Sequence, residues 1–264
     1  MLVLGIDRAA GQDTTTWRAR RRVVLIALVL AACLPLHGLW RLFGAPSPWP
    51  IHFLRWAGRA AGADVRIVGR PVRSHVLLAA NHLTWLDILV LAGATGARFV
   101  AKDDVSRWPF FGFLAGLNRT VYIARSKRGE VREQTGLLRA ALAEGCPVAL
   151  FPEGGTGDGV ALKPFRGSLF AALLPPTPGL VLQPVAIDYG RDGLDLAWAG
   201  RGTSMGREMM RVLGLPGRRK VVLRFLDPID PAGWSDRKAL AAEARGRLLA
   251  ALDGQPGMSP SSGM

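Results

Sequence analysis

From Asp64 to Gly254 the chain alternates short apolar, β-prone runs with longer stretches of helical period, and this alternation limits the possible folds more than any other feature. Strands are expected at Val65–Val68, Val76–Ala80, Arg98–Ala101, Thr120–Ala124, Val148–Phe151, Leu182–Ile187 and Lys220–Phe225. Helical patterns fall between them at Leu86–Ala94, Phe110–Leu117, Glu130–Glu144, Gly167–Leu173 and Ser204–Leu213, and Asp236–Leu252 closes the series. Strands separated by helices return through crossovers and build a sheet covered on both faces. The expected class is therefore α/β: a single domain over residues 63–254, with a mostly parallel, mixed sheet flanked by helices. No internal repeat is visible. The last ten residues, Gln255–Met264, are rich in Gly, Pro, Ser and Met and read as a disordered tail.

Residues 1–62 follow a different pattern. A small, polar stretch over residues 1–16 reads as a loose tail. It is followed by Arg18, Arg20, Arg21 and Arg22, then by an uninterrupted apolar run from Val23 to Leu36. Extended to Trp40 the segment spans about 27 Å as a helix, just short of the roughly 30 Å hydrocarbon core. Trp49–Ala60 mixes Trp49, Phe53, Leu54 and Trp56 with Arg55 and Arg59, as a helix in a lipid interface does. Pro46, Pro48 and Pro50 separate the two. Together they form an N-terminal membrane-anchoring helical segment, and the arginine cluster places its start on the cytoplasmic face of a bacterial inner membrane. Leu30-Ala31-Ala32-Cys33 also resembles a lipoprotein cleavage site, but the stretch ahead of the arginines is long for a signal peptide.

Composition removes some function classes. The net charge is +14, yet 49% of residues are hydrophobic, which excludes a disordered polyelectrolyte. Two cysteines give no disulfide framework, and four scattered histidines without cysteine pairs give no zinc site. Nucleic-acid binding needs basic residues gathered on one element. Here they are spread along the chain, apart from Arg18–Arg22 and Arg218-Arg219-Lys220.

Two catalytic motifs fail on context. Gly202-Thr203-Ser204-Met205-Gly206 matches a nucleophile elbow, but every histidine lies upstream of it, so the triad order cannot be completed. Gly154-Gly155-Thr156-Gly157-Asp158-Gly159 follows a strand but lacks the spacing of a dinucleotide loop, and Pro164 interrupts the expected helix. The informative stretch is Asn81-His82-Leu83-Thr84-Trp85-Leu86-Asp87. It follows one apolar strand and opens an apolar helix, so His82 sits at a strand's carboxyl end, where open α/β sheets put their sites. On a continuous helix His82 and Asp87 would lie about 140° apart. They meet only if His82 is in the turn and Asp87 in the first helical turn, with Thr84 as the expected N-cap. Asp87 can then fix the imidazole tautomer and stabilise the imidazolium.

Asn81-His82-x-Thr84-x-x-Asp87 resembles the first signature block of the glycerolipid acyltransferase family, which includes the lysophosphatidic acid acyltransferases. Thr120–Arg125 resembles the second block, Phe151-Pro152-Glu153-Gly154 the third, and Leu182–Ile187 the fourth, in order over about residues 76–187. The resemblance implies a membrane-bound O-acyltransferase that moves a fatty acyl group from acyl-CoA or acyl carrier protein to a lysolipid hydroxyl, with no cofactor, no metal, no nucleic acid and no acyl-enzyme. His82 and Asp87 would be catalytic. Glu153 and Gly154 would hold the acceptor head group, Arg125 would counter its charge, and Lys102 would face the thioester oxyanion. In the commonest members the third block reads Glu-Gly-Thr-Arg, with the arginine serving phosphate. Here the same positions are Glu153-Gly154-Gly155-Thr156. Arg166 can reach in from the next turn, or backbone N–H groups can substitute. 1-Acylglycerol-3-phosphate, giving phosphatidic acid, is the acceptor expected first. Lyso-ornithine lipid is the alternative, with Asp158 facing its ammonium. A non-catalytic basic protein that binds membrane or nucleic acid is the alternative of another class.

Overall fold

The computed structural model describes residues 3–102, 121–123, 130–198 and 202–253. Helix α1 covers Val3–Leu42 and α2 covers Trp49–Ala60. Strands β1 (Ala63–Gly69) and β2 (Val76–Ala80) follow, then α3 (Leu86–Thr95), β3 (Arg98–Lys102), β4 (Val121–Ile123), α4 (Glu130–Ala143) and β5 (Val148–Leu150). A 3₁₀ segment at Gly167–Leu173 leads to β6 (Val181–Asp188), α5 (Met205–Gly214), β7 (Arg219–Phe225) and α6 (Arg237–Asp253). The polar start expected to be a loose tail is part of α1 from Val3 onward. The helix expected at Phe110–Leu117 lies outside the described residues, as does the tail 255–264.

The seven strands form one sheet in the order β1-β7-β6-β2-β5-β3-β4. Every neighbouring pair is parallel except β6 and β7, which run antiparallel with Val185 opposite Phe225. The mixed, mostly parallel sheet is thus two parallel blocks joined at one antiparallel seam. Strand β2 lies in its interior. Val76, Leu78 and Ala80 point into one core with α2 and α3, while Leu77 and Ala79 point into the other with α4 and α6. A continuous apolar run suits such a strand because both of its faces are buried.

Helices α2 and α3 cross closely at Gly93. A Cβ there would lie 2.8 Å from the Arg55 backbone, so only glycine allows the approach. Helix α1 packs along a stripe spaced by three and four residues, Ala19, Arg22, Ile26, Val29 and Cys33, which is one face of a helix. Most of its other apolar side chains are exposed, among them Val24, Leu28, Leu39 and Trp40. Thr16–Leu42 is the one described helix long and apolar enough to cross a membrane, at 27 residues and about 40 Å.

Arg22 departs from its expected role at an anionic surface. Its guanidinium is buried and donates to the carbonyl oxygens of Leu213 and Leu215, both at 3.0 Å, and of Gly217. The Leu213 carbonyl is in the last turn of α5 and the other two lie just past its end, where a cation interacts favourably with the last carbonyls. Arg20 and Arg21 remain exposed.

Candidate active site

Residues Asn81–Trp85 form the turn from the carboxyl end of β2 into α3. His82 sits in the turn and Asp87 in the first turn of the helix, so the two side chains meet. The Nδ1–H of His82 donates to Asp87 Oδ2 at 2.8 Å. Asp87 is 0% exposed. The same Oδ2 accepts the backbone N–H groups of Leu83 at 2.7 Å and Thr84 at 3.0 Å, and Oδ1 accepts the Tyr189 hydroxyl at 2.6 Å. Four donors make it a buried carboxylate with full compensation.

This reverses the expected cap. The Thr84 hydroxyl does not cap the helix; it is buried without a hydrogen-bond partner among the described residues. Asp87 instead reaches back to the N–H groups of Leu83 and Thr84, in the turn that leads into the helix. The negative charge therefore sits at the helix N-terminus, where it is favoured.

The imidazole plane is set by a second contact. The Phe151 ring stacks on His82 at 3.9 Å between centroids and 8° between planes. With Nδ1–H committed to Asp87 and the side chain 15% exposed, Nε2 is left as the acceptor that can take a proton from a bound hydroxyl.

Glu153 supports the turn from the other side. Its Oε1 accepts the His82 backbone N–H at 2.8 Å and its Oε2 accepts the Lys163 backbone N–H at 3.1 Å. Burial pushes the Glu153 carboxyl up, and the two N–H groups oppose that shift. The loop assignment from sequence gave Glu153 to the head group; the structure ties its carboxylate to two backbone segments. Gly157 N–H also donates to the His82 carbonyl at 2.6 Å, and Lys163 Nζ donates to the Thr156 carbonyl at 2.6 Å.

Gly154 has φ +75°, and the Arg166 guanidinium lies against it, 2.6 Å from where a Cβ would stand. Arg166 is thus placed on the third motif, and its side chain is exposed. Asp158 is held below its usual carboxylate range by the N–H groups of Val160 and Ala161, on the same glycine-rich loop. Lys102 ends β3 opposite Ile123, but its side chain lies outside the described residues, and so does Arg125.

The roles of two contributors escaped sequence reasoning, although Asn81 opens the first motif. Asn81 donates from Nδ2 to the Ile187 carbonyl at 2.9 Å and accepts the Ile187 N–H at Oδ1 at 2.7 Å, which pins the ends of β2 and β6 together. Tyr189 lies two residues after the fourth motif; that nearness to Leu182–Ile187 was the only signal available.

An imidazole aligned by a buried carboxylate, at the strand ends of an α/β sheet, is able to take a proton from a bound hydroxyl. The acyltransferase family model matches residues 64–188, which contain this site. The chain belongs to the acyltransferase family. It is 32% identical over 258 residues to the lyso-ornithine lipid O-acyltransferase of Brucella abortus (strain 2308), covering 88% of this chain and 94% of that protein. It is 31% identical over 196 residues to the 1-acyl-sn-glycerol-3-phosphate acyltransferase of Neisseria meningitidis serogroup B, covering 69% and 73%. The crystal structure of the 1-acyl-sn-glycerophosphate (LPA) acyltransferase PlsC from Thermotoga maritima has the same fold, with a TM-score of 0.64 at 21% identity over 89% of this chain and 96% of that one.

Proposed function

We propose that the protein acylates the hydroxyl of a lysolipid from an acyl thioester, either acyl-CoA or acyl carrier protein, with His82 as general base. The observation that carries the reading is the His82–Asp87 pair just past the end of β2, with Nδ1–H held and Nε2 without a hydrogen-bond partner among the described residues. Nε2 takes the proton from the acceptor hydroxyl, and the oxygen attacks the thioester carbonyl. The tetrahedral intermediate expels the thiolate, which recovers the proton from the imidazolium. Asp87 stabilises that imidazolium without becoming protonated. Lys102 is assigned to the oxyanion, Arg125 to the charge of the acceptor, and Glu153 and Gly154 to shaping the loop that receives its head group.

The acceptor that fits this loop best is lyso-ornithine lipid. Arg166 presents a guanidinium at Gly154, and Asp158 presents an exposed, ionised carboxylate on the same loop. An ornithine head group offers a carboxylate to the first and an ammonium to the second. The relative named for this acceptor also spans 88% of the chain. 1-Acylglycerol-3-phosphate is the second reading, supported by the relative from Neisseria meningitidis, and Arg166 would then serve the phosphate. The exposed apolar face of Thr16–Leu42 supports membrane attachment. Exposed Arg20 and Arg21 support placement on the cytoplasmic face.

The test supplies a labelled acyl thioester with both lysolipids and weighs the product. Ornithine lipid is the expected product, and phosphatidic acid as the sole product overturns the acceptor assignment. Purified His82→Ala is expected to release no thiol above background, and a wild-type rate overturns the base assignment.

A further inference from the structure

We infer that Tyr189 is a positioning residue for acyl transfer: its phenolic O–H, donated to Asp87 Oδ1, holds the carboxylate in the orientation that aligns His82. The inference rests on His82 acting as the general base. Three of the four donors on Asp87 come from the turn just before it and all meet at Oδ2. Oδ1 has one partner among the described residues, Tyr189, which arrives from 102 positions further along the chain. Without it the carboxylate would keep a bare oxygen at a site that is 0% exposed.

The fold delivers Tyr189 deliberately. Ala80 pairs with Val185 in the β2–β6 register, and the two Asn81 bonds to Ile187 lock the strands two residues before the tyrosine. At the end of β6, Asp188 accepts the Gly190 N–H at 2.7 Å and pairs with Arg224 at 3.5 Å, which fixes the backbone on either side of the tyrosine. The fourth motif therefore reads as the arm that carries a hydroxyl to Asp87.

Tyr189 can act only as a donor. It is 3% exposed, and burial together with the Asp87 charge pushes its ionisation well above 10. Its proton stays in place throughout the working range. The charged and titratable groups around this network, among the described residues, are His82 and Asp87 themselves, Glu153 and Lys163 on the loop behind His82, and the Asp188–Arg224 pair beside Tyr189. Without the Tyr189 hydroxyl, Oδ1 keeps no partner among the described residues, and the carboxylate is free to turn away from the Nδ1–H of His82.

Tyr189→Phe keeps the ring and removes only the hydroxyl. The expected result is a kcat lower by about tenfold with acceptor KM unchanged. An unchanged kcat, or a kcat lost only in step with thermal stability, overturns the proposal. A coupling experiment guards against simple misfolding: in an Asp87→Asn background, Tyr189→Phe should cost nothing further in kcat, and full additivity overturns the proposal. The two readings fail separately. Wild-type activity in His82→Ala removes the general base, whereas an inactive His82→Ala beside a wild-type kcat in Tyr189→Phe removes only the tyrosine's role.

Discussion

Glu153→Gln separates two roles for one carboxylate: contact with the acceptor and support of the catalytic turn. His82 N–H reaches Oε1 at 2.8 Å and Lys163 N–H reaches Oε2 at 3.1 Å, so both oxygens act as acceptors. An amide has one acceptor, and its NH₂ group must face the other N–H. A charge-assisted hydrogen bond contributes about 1.5–3 kcal/mol, and a buried N–H left unpaired costs about 1–3 kcal/mol. The amide also escapes the burial penalty that raises the Glu153 carboxyl, which offsets part of this loss. The balance is a destabilisation of about 2 kcal/mol, or about 4–8 °C in Tm for a protein of this size. The sign of the pH dependence follows from the raised carboxyl. Its stabilising contribution is fully present below the unfolded value of about 4.3 and is lost as pH rises through the higher folded value. Glutamine cannot titrate, and a protonated carboxyl still has an acceptor lone pair on its hydroxyl oxygen where the amide nitrogen has none. The Tm gap between wild type and variant is therefore widest in acid and narrows towards neutral pH. Thermal unfolding in detergent across pH measures the gap, and thiol release measures kcat and KM. An unchanged Tm with a tenfold rise in acceptor KM would refute the supporting role and give Glu153 to the head group.

Two further perturbations follow from single contacts. Asn81→Ala leaves a buried N–H and a buried carbonyl of Ile187 without partners, a loss of about 2–4 kcal/mol that denaturant titration should show, together with a fall in kcat as Tyr189 shifts. Arg22→Met keeps an apolar stem but removes the cation from the carbonyls of Leu213, Leu215 and Gly217; a loss of about 1–3 kcal/mol should appear as a lower Tm, and an unchanged Tm would show that the contact contributes nothing.

The fold was legible where burial imposes a simple pattern. Val76–Ala80 is an apolar run because both faces of β2 are covered, and the expected bounds match the structure. The helix after it, expected at Leu86–Ala94, ends at Thr95, with Gly96 at φ +72° closing it. Sheet order was not legible. Nothing in the composition of Leu182–Ile187 or Lys220–Phe225 distinguishes an antiparallel neighbour from a parallel one, because pairing depends on distant partners. At the site, the meeting of His82 and Asp87 followed from helical geometry and a turn. The tasks of Asn81, Glu153 and Tyr189 did not, since each acts on a residue tens of positions away or more. Thr84 shows the risk of local rules: a good capping residue sits beside a carboxylate that accepts its N–H instead. Arg22 looks in sequence like one more solvated charge in its cluster, and only the end of α5 reveals what it binds.

That contact at Arg22 also sets an angle. Moving one residue along an α-helix turns a side chain by about 100° and advances it by about 1.5 Å. If α1 slipped by a single position, the guanidinium would swing away from all three carbonyls at once, and Ala19 and Cys33 would leave their packing stripe. The pairing therefore indexes α1 like a keyed shaft, fixing both its rotation and its height against the sheet. Whatever medium surrounds the outward side chains of that helix meets the same face in every molecule. His82 accordingly stands at one fixed distance and bearing from that medium.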